Sequence, residues 1–155
     1  MCFKKQISVP NPIITGSTIE VYGETYPIFS VLGSMVKQEL EQAGVELVRP
    51  PLDREQDYYF TTLEGWNALL IYIYKDFNWP PYMASRMDCE DFSILFKGLV
   101  SAHFGLNYFA ITIGRNGEGT GHAFNTFRIK NGELIDFEPQ TAQVVTDYKR
   151  VEAFL

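Results

Sequence analysis

Thiol and imidazole are scarce in this sequence: its 155 residues include two cysteines, Cys2 and Cys89, and two histidines, His103 and His122. So few cysteines exclude a disulfide-rich miniprotein, and nothing in the sequence supports a Cys2–Cys89 bridge, so free thiols are expected. Long apolar runs are missing too. None approaches the ~18–20 residues of a membrane-spanning helix. The start, Met1-Cys2-Phe3-Lys4-Lys5-Gln6, lacks the apolar stretch of a secretory signal. A protein that is cytoplasmic, or released without a signal peptide, and that has no membrane partner is expected. Basic residues are few: 13 Lys+Arg against 19 Asp+Glu leave a net charge of −6, which argues against a nucleic-acid partner. What is present is 46% hydrophobic and 21% charged, the composition of one globular domain with a real core.

Hydrophobic spacing supplies the expected elements. Ile13-Ile14-Thr15, a Gly16-Ser17 turn and Thr18-Ile19-Glu20-Val21 read as a small hairpin. Residues 28–43 predict a helix closed by Gly44, with Pro50-Pro51 ending that region. A second helix is expected over residues 62–77, where Trp66, Leu69, Leu70, Ile73 and Phe77 form one stripe. Thr61 and Glu64 fit a capping box at its start, and Trp79-Pro80-Pro81 stops it. A third helix begins near Cys89 with Phe92, Leu95, Phe96, Leu99, Val100 and His103 on one face, and ends by Gly105. Strands are then expected at 108–113, 121–129 and 133–138. Helices followed by an antiparallel sheet make an α+β layout.

A lone cysteine is more often an inert buried thiol than a nucleophile, so its neighbours decide. Cys89 stands on the first turn of a helix, where unpaired N–H groups and the dipole favour a thiolate. A nucleophilic thiol needs an imidazole to take its proton. His103 rides the same helix, and fourteen residues at ~1.5 Å each put it about 21 Å away. His122, following Gly119-Thr120-Gly121 at the start of a strand, remains. A third group must fix the ring's tautomer, and Asp136 and Glu138 lie on one face of their strand. A two-residue Asn131-Gly132 loop would turn His122 away from both acids. A three-residue Lys130-Asn131-Gly132 loop with Gly132 left-handed pairs Ile129 with Glu133 instead. His122 then lies opposite Gln140 and diagonal to Glu138, while Asp136 falls roughly 14 Å away at ~3.4 Å per residue. That register favours Glu138; Asp136 is the alternative, and Gln140 could orient the ring or donate to an oxyanion.

Asp88-Cys89-Glu90-Asp91-Phe92, then Gly121-His122-Ala123-Phe124-Asn125, then Phe137-Glu138-Pro139-Gln140 resembles the C-terminal cysteine-protease domain of the fungal chimeric agglutinins. The order of parts is also similar to bacterial transglutaminase-like cysteine proteinases. The likeness runs from near Trp79 to Leu155 and is dense only around these motifs. It implies a papain-like/transglutaminase-like α+β fold, with helices on a small antiparallel sheet and the nucleophile at a helix N-terminus. It implies Cys89 as nucleophile, His122 as base and Glu138 as orienting acid, with Asp136 in that place under the transglutaminase-like pattern. One domain over 1–155 is expected, with 1–56 an extension and 57–155 the catalytic core. The agglutinins' carbohydrate-binding trefoil has no room here, so lectin activity does not carry over.

The expected chemistry is hydrolysis of an amide in a peptide or protein through an acyl-thioester on Cys89. It requires no cofactor. Interception by an amine would make an acyltransferase, and a catalytically idle peptide-binding or scaffold module is the rival. Asp88, Glu90 and Asp91 surround the thiol with negative charge, which opposes a thiolate. A bound cation would relieve this, clustered carboxylates suit calcium, and the resemblance implies calcium dependence.

Overall fold

Alternating apolar and β-branched residues dominate positions 18–32, and there they build strands rather than helix. The computed structural model describes residues 13–15, 17–49, 57–84 and 86–155. Strands β1 (Ile13–Thr15) and β2 (Thr18–Val21) form the expected hairpin, with Thr15 opposite Thr18; Gly16, Pro50-Pro51 and Cys2 lie outside the described residues. Tyr22 and Gly23, both at positive φ, turn the chain into β3 (Glu24–Leu32), as a tight hairpin requires. The helix expected from residue 28 therefore starts only at Gly33: α1 spans Gly33–Gln42. Ile28 to Leu32 are held in the ladder instead, paired with β5 (Asp57–Thr61) from Ile28↔Thr61 to Leu32↔Asp57. Ladder bonds and side-chain packing outweigh a short helical pattern. Gly44, at φ +75°, follows α1 as a left-handed terminator.

Helix α2 (Leu63–Asp76) is capped by Thr62, not Thr61. The Thr62 hydroxyl accepts the Gly65 N–H at 3.1 Å. Thr61 is the buried last residue of β5, and its hydroxyl donates to the Pro27 carbonyl at 2.6 Å. Strand pairing had already claimed it. Helix α3 (Cys89–Phe104) has Asp88 as N-cap in a capping box with Asp91, and ends at left-handed Gly105. No described helix is long and apolar enough to cross a membrane.

The remaining strands are β4 (Glu46–Arg49), β6 (Phe109–Arg115), β7 (Gly121–Arg128), β8 (Leu134–Glu138), β9 (Gln143–Val144) and β10 (Lys149–Phe154). The strand order is β1-β2-β3-β5 in one sheet and β4-β10-β6-β7-β8-β9 in the other. The sheet expected to be small and antiparallel is thus six-stranded and mixed, because β4 runs parallel to β10. The fold is α+β with three helices and two sheets among the described residues. Its centre is aromatic: Trp66 packs 4.8 Å from Phe127 and 5.5 Å from Phe109, and Phe96 meets Phe137 at 5.1 Å. Each such buried ring contributes about 1.5–3 kcal/mol. These contacts press α2 and α3 onto the face of the six-stranded sheet that carries Phe109, Phe127 and Phe137.

Candidate active site

The turn between β7 and β8 sets which side chains can meet. The Ile129 N–H donates to the Glu133 carbonyl and the Gly132 N–H to the Ile129 carbonyl, each at 3.0 Å, with Gly132 at φ +91°. This is the three-residue loop with its bulge, and the ladder continues in that register through Asn125↔Phe137. His122 and Glu138 share one face, and imidazole Nε2 is hydrogen-bonded to Glu138 Oε2. The second carboxylate oxygen accepts the Gln140 N–H at 3.0 Å. Both oxygens are engaged, so the carboxylate cannot swing. With Nε2 donating to the carboxylate, Nδ1 is left as the basic nitrogen. The His122 ring packs 5.0 Å from Tyr148 and its residue lies opposite Gly114. A Cβ on Gly114 would come within 2.7 Å of the Phe124 ring and 3.0 Å of Tyr148 Cβ, so only glycine leaves room for this packing. The side chains are 21% and 14% exposed for His122 and Glu138, shielded yet reachable.

Asp136 is committed elsewhere. Its oxygens accept Arg150 Nε at 2.8 and 2.9 Å and the Thr126 hydroxyl at 2.6 Å. Gln140 contributes its backbone: its N–H holds Glu138 and its carbonyl takes the Tyr74 hydroxyl at 3.4 Å. His103 sits exposed in the last turn of α3, beside a cavity of about 130 Å³ shared with Tyr72 and Asp76.

Cys89 is the first residue of α3, half-buried, with a free thiol. Its carbonyl accepts the Ser93 hydroxyl at 2.8 Å. One turn on, the Ser93 carbonyl accepts Asn125 Nδ2 at 3.0 Å, and that same amide donates to the Ala110 carbonyl at 3.1 Å. Another turn on, Lys97 Nζ donates to the Phe109 carbonyl at 2.7 Å, and Phe109 is opposite Phe127. Moving from Ser93 to Lys97 therefore tracks Asn125 to Phe127, so α3 runs alongside β7 in the same direction. Cys89 lies at the end of the helix nearest His122. Alternation turns Asn125 and Phe127 toward α3 and His122 and Glu138 to the reverse face. The helix start and the imidazole thus approach the beginning of β7 from opposite sides, and Cys89 Sγ has no hydrogen-bond partner among the described residues.

Two of the three carboxylates around Cys89 are occupied. Asp88 accepts the Glu90 N–H at 3.2 Å, and Asp91 accepts the Asp88 N–H at 3.3 Å. Among the described residues no cluster of three or more His, Cys, Asp or Glu is arranged to hold a metal ion. The segment leading into α3 is anchored by Trp79, stacked 5.1 Å from Phe96 and 5.9 Å from Phe92. Asn125, Gly114 and Tyr148 were missed as site residues. Asn125 carried a legible signal, a polar residue in the helix-facing register of an otherwise apolar row; Tyr148 lies in a stretch without periodicity.

No family model and no curated protein matches the chain. Solved structures do. Polyporus squamosus lectin bound to the epitope Neu5Aca2-6Galb1-4GlcNAc aligns with a TM-score of 0.59 and 18% identity, over 85% of this chain and 51% of that one. A PSL1a–E64 complex aligns at 0.61 and 20% identity, over 85% and 52%. The likeness is one of fold. The chain spans about half the length of the structures it matches.

Proposed function

We propose that this domain is a papain-like thiol hydrolase acting on amide bonds of peptides or proteins, with Cys89 as nucleophile, His122 as base and Glu138 as the group that orients the ring. The observation that carries the reading is the His122–Glu138 pair, held on both carboxylate oxygens at the strand end toward which α3 points Cys89. His122 Nδ1 takes the thiol proton and the sulfur attacks the carbonyl carbon. The capping box uses the Glu90 and Asp91 N–H groups, leaving the Cys89 N–H to face the oxyanion. The imidazolium returns its proton to the leaving amine. It then deprotonates a water that hydrolyses the thioester, or an amine intercepts the acyl group. Because the two side chains lie on opposite faces of β7, the mechanism requires the His122 ring to pass round the start of that strand to reach the sulfur.

A second reading is a binding module of this fold that turns nothing over, and the lectin likeness favours it. Iodoacetamide labelling separates the two. A hydrolase predicts fast labelling of Cys89 with a pH profile that His122→Ala abolishes. Slow, equal labelling of both proteins, together with calorimetric binding of Neu5Aca2-6Galb1-4GlcNAc, would establish the binding module instead.

A further inference from the structure

A glycine inside a strand marks a place where another group comes close, and β6 carries one at Gly114. It lies directly opposite His122 on one side and Arg150 on the other. The Phe124 ring and the Tyr148 Cβ stand 2.7 and 3.0 Å from where a Gly114 side chain would begin. Tyr148, the last residue before β10, thus reaches across the glycine to place its ring 5.0 Å from the imidazole. It also packs 6.3 Å from the ring of Phe124, which is fully buried. On the opposite flank of His122 is Glu138, bonded to the imidazole and held by the Gln140 N–H. The ring is therefore clamped between a carboxylate and an aromatic ring. Alternation puts this row on the sheet face turned away from α3.

A hydrogen bond alone would let the imidazole pivot about its partner; the packed tyrosine fills the space that a pivot needs. Held there, the ring leaves the thiol without a base, and Cys89 Sγ has no hydrogen-bond partner among the described residues. The Tyr148 hydroxyl makes no hydrogen bond among them either, so the contribution of this residue is its ring. Its own segment is short and lightly tied. The Val145 N–H donates to the Asp136 carbonyl at 2.9 Å and Arg150 is anchored on the Asp136 carboxylate, while Thr146 and Asp147 between them are exposed. Tyr148 is only half-buried, and its side chain has room to swing outward while the strands on both sides stay in place.

We infer that Tyr148 is a latch: it keeps His122 away from Cys89 in the resting domain, and its withdrawal frees the ring to serve the thiol. The inference rests on the thiol-hydrolase reading. Iodoacetamide labelling of Cys89 tests it on the full chain, with the modified residue mapped by mass so that Cys2 is counted separately. Wild type is expected to outpace His122→Ala, because the ring leaves the clamp part of the time. Tyr148→Ala should label roughly fivefold faster than wild type, the population shift that corresponds to the packing of one ring pair. Tyr148→Phe keeps the ring and the wild-type rate. Tyr148→Leu serves where alanine costs the fold, with a smaller gain in the same direction. The Tyr148→Ala/His122→Ala double variant falls back to the rate of His122→Ala, which separates a freed imidazole from a thiol bared by loosening of the fold. Tyr148 variants no faster than wild type, in a protein whose wild type outpaces His122→Ala, would overturn the latch and leave the hydrolase reading standing. A gain that survives in the double variant, or that Tyr148→Phe shows equally, overturns the latch too. One slow rate for wild type, Tyr148→Ala and His122→Ala means that the hydrolase reading has failed and the latch falls with it.

Discussion

Lys97 shows how one half-buried residue leaves a mark on the whole protein's behaviour. Its ammonium sits under α3 with the Phe109 carbonyl as partner at 2.7 Å, and burial lowers its pKa from 10.5 to about 8. Between those values the unfolded chain binds more protons than the folded one, so stability rises with pH across the window and is lowest below it. The full shift corresponds to about 3 kcal/mol, less what the carbonyl returns. Tyr108, whose hydroxyl is pushed upward by burial and by Glu39, acts oppositely once unfolded tyrosines ionise near pH 10. The clean window is therefore about pH 8 to 9.5. Lys97→Met is expected to be more stable than wild type at neutral pH by about 1–2 kcal/mol and flat through that window. Urea unfolding at several pH values checks it, and a variant that still gains stability with pH would refute the assignment. At the same scale, Asn125 is fully buried with both amide hydrogens used and its Oδ1 unpartnered. Its two bonds tie the Cys89 helix to β6 and β7, which is a reason for an amide in a row of apolar residues.

Among the elements, the β7–β8 hairpin matters most, because its turn decides whether His122 and Glu138 can meet. Gly132 at φ +91° is the residue on which the bulge depends. A Cβ there would meet only Arg128 Nη2, at 3.6 Å, so the cost of Gly132→Ala is backbone strain of about 1–2 kcal/mol. The thermal midpoint should drop by a few degrees, and Gly132→Asn should lose less, since asparagine tolerates left-handed backbone. Loss of the hydrogen-bonded His122 imidazole proton in the NMR spectrum of Gly132→Ala, with the fold retained, would mark a slip of register. This hairpin was legible in sequence because loop length and the left-handed preference of glycine are local properties. Helix α3 was legible for the same reason: Asp88, Asp91 and Gly105 mark its ends in the chain. The cap of α2 was misplaced by one residue, and the strand at 28–32 was read as helix. In both places a ladder bond to a distant segment overrode the local pattern.

For the whole molecule, the first part of the chain is woven into the rest. Strand β4 edges the six-stranded sheet beside β10, β3 pairs with β5, and Ile19, Val36 and Leu40 lie in the core at 0–1% exposure. Glu39 of α1 takes both Arg128 Nε, at 3.0 Å, and the Tyr108 hydroxyl, at 3.0 Å. A chain starting at residue 57 is expected to lack a cooperative thermal transition and to bind an apolar dye, because those partners would be exposed; a sharp transition with native near-UV dichroism would contradict this. The sequence by itself determined the helix that carries Cys89 and the turn that carries Gly132, and it favoured Glu138 over Asp136 as the partner of His122. Each rests on spacing, capping or alternation within one stretch of chain. Only the tertiary structure decided that β4 joins the sheet in parallel, that Asp136 belongs to Arg150, and that the thiol and the imidazole approach β7 from opposite sides. Those outcomes depend on contacts between segments remote in sequence, where docking and long-range pairing outweigh local preference.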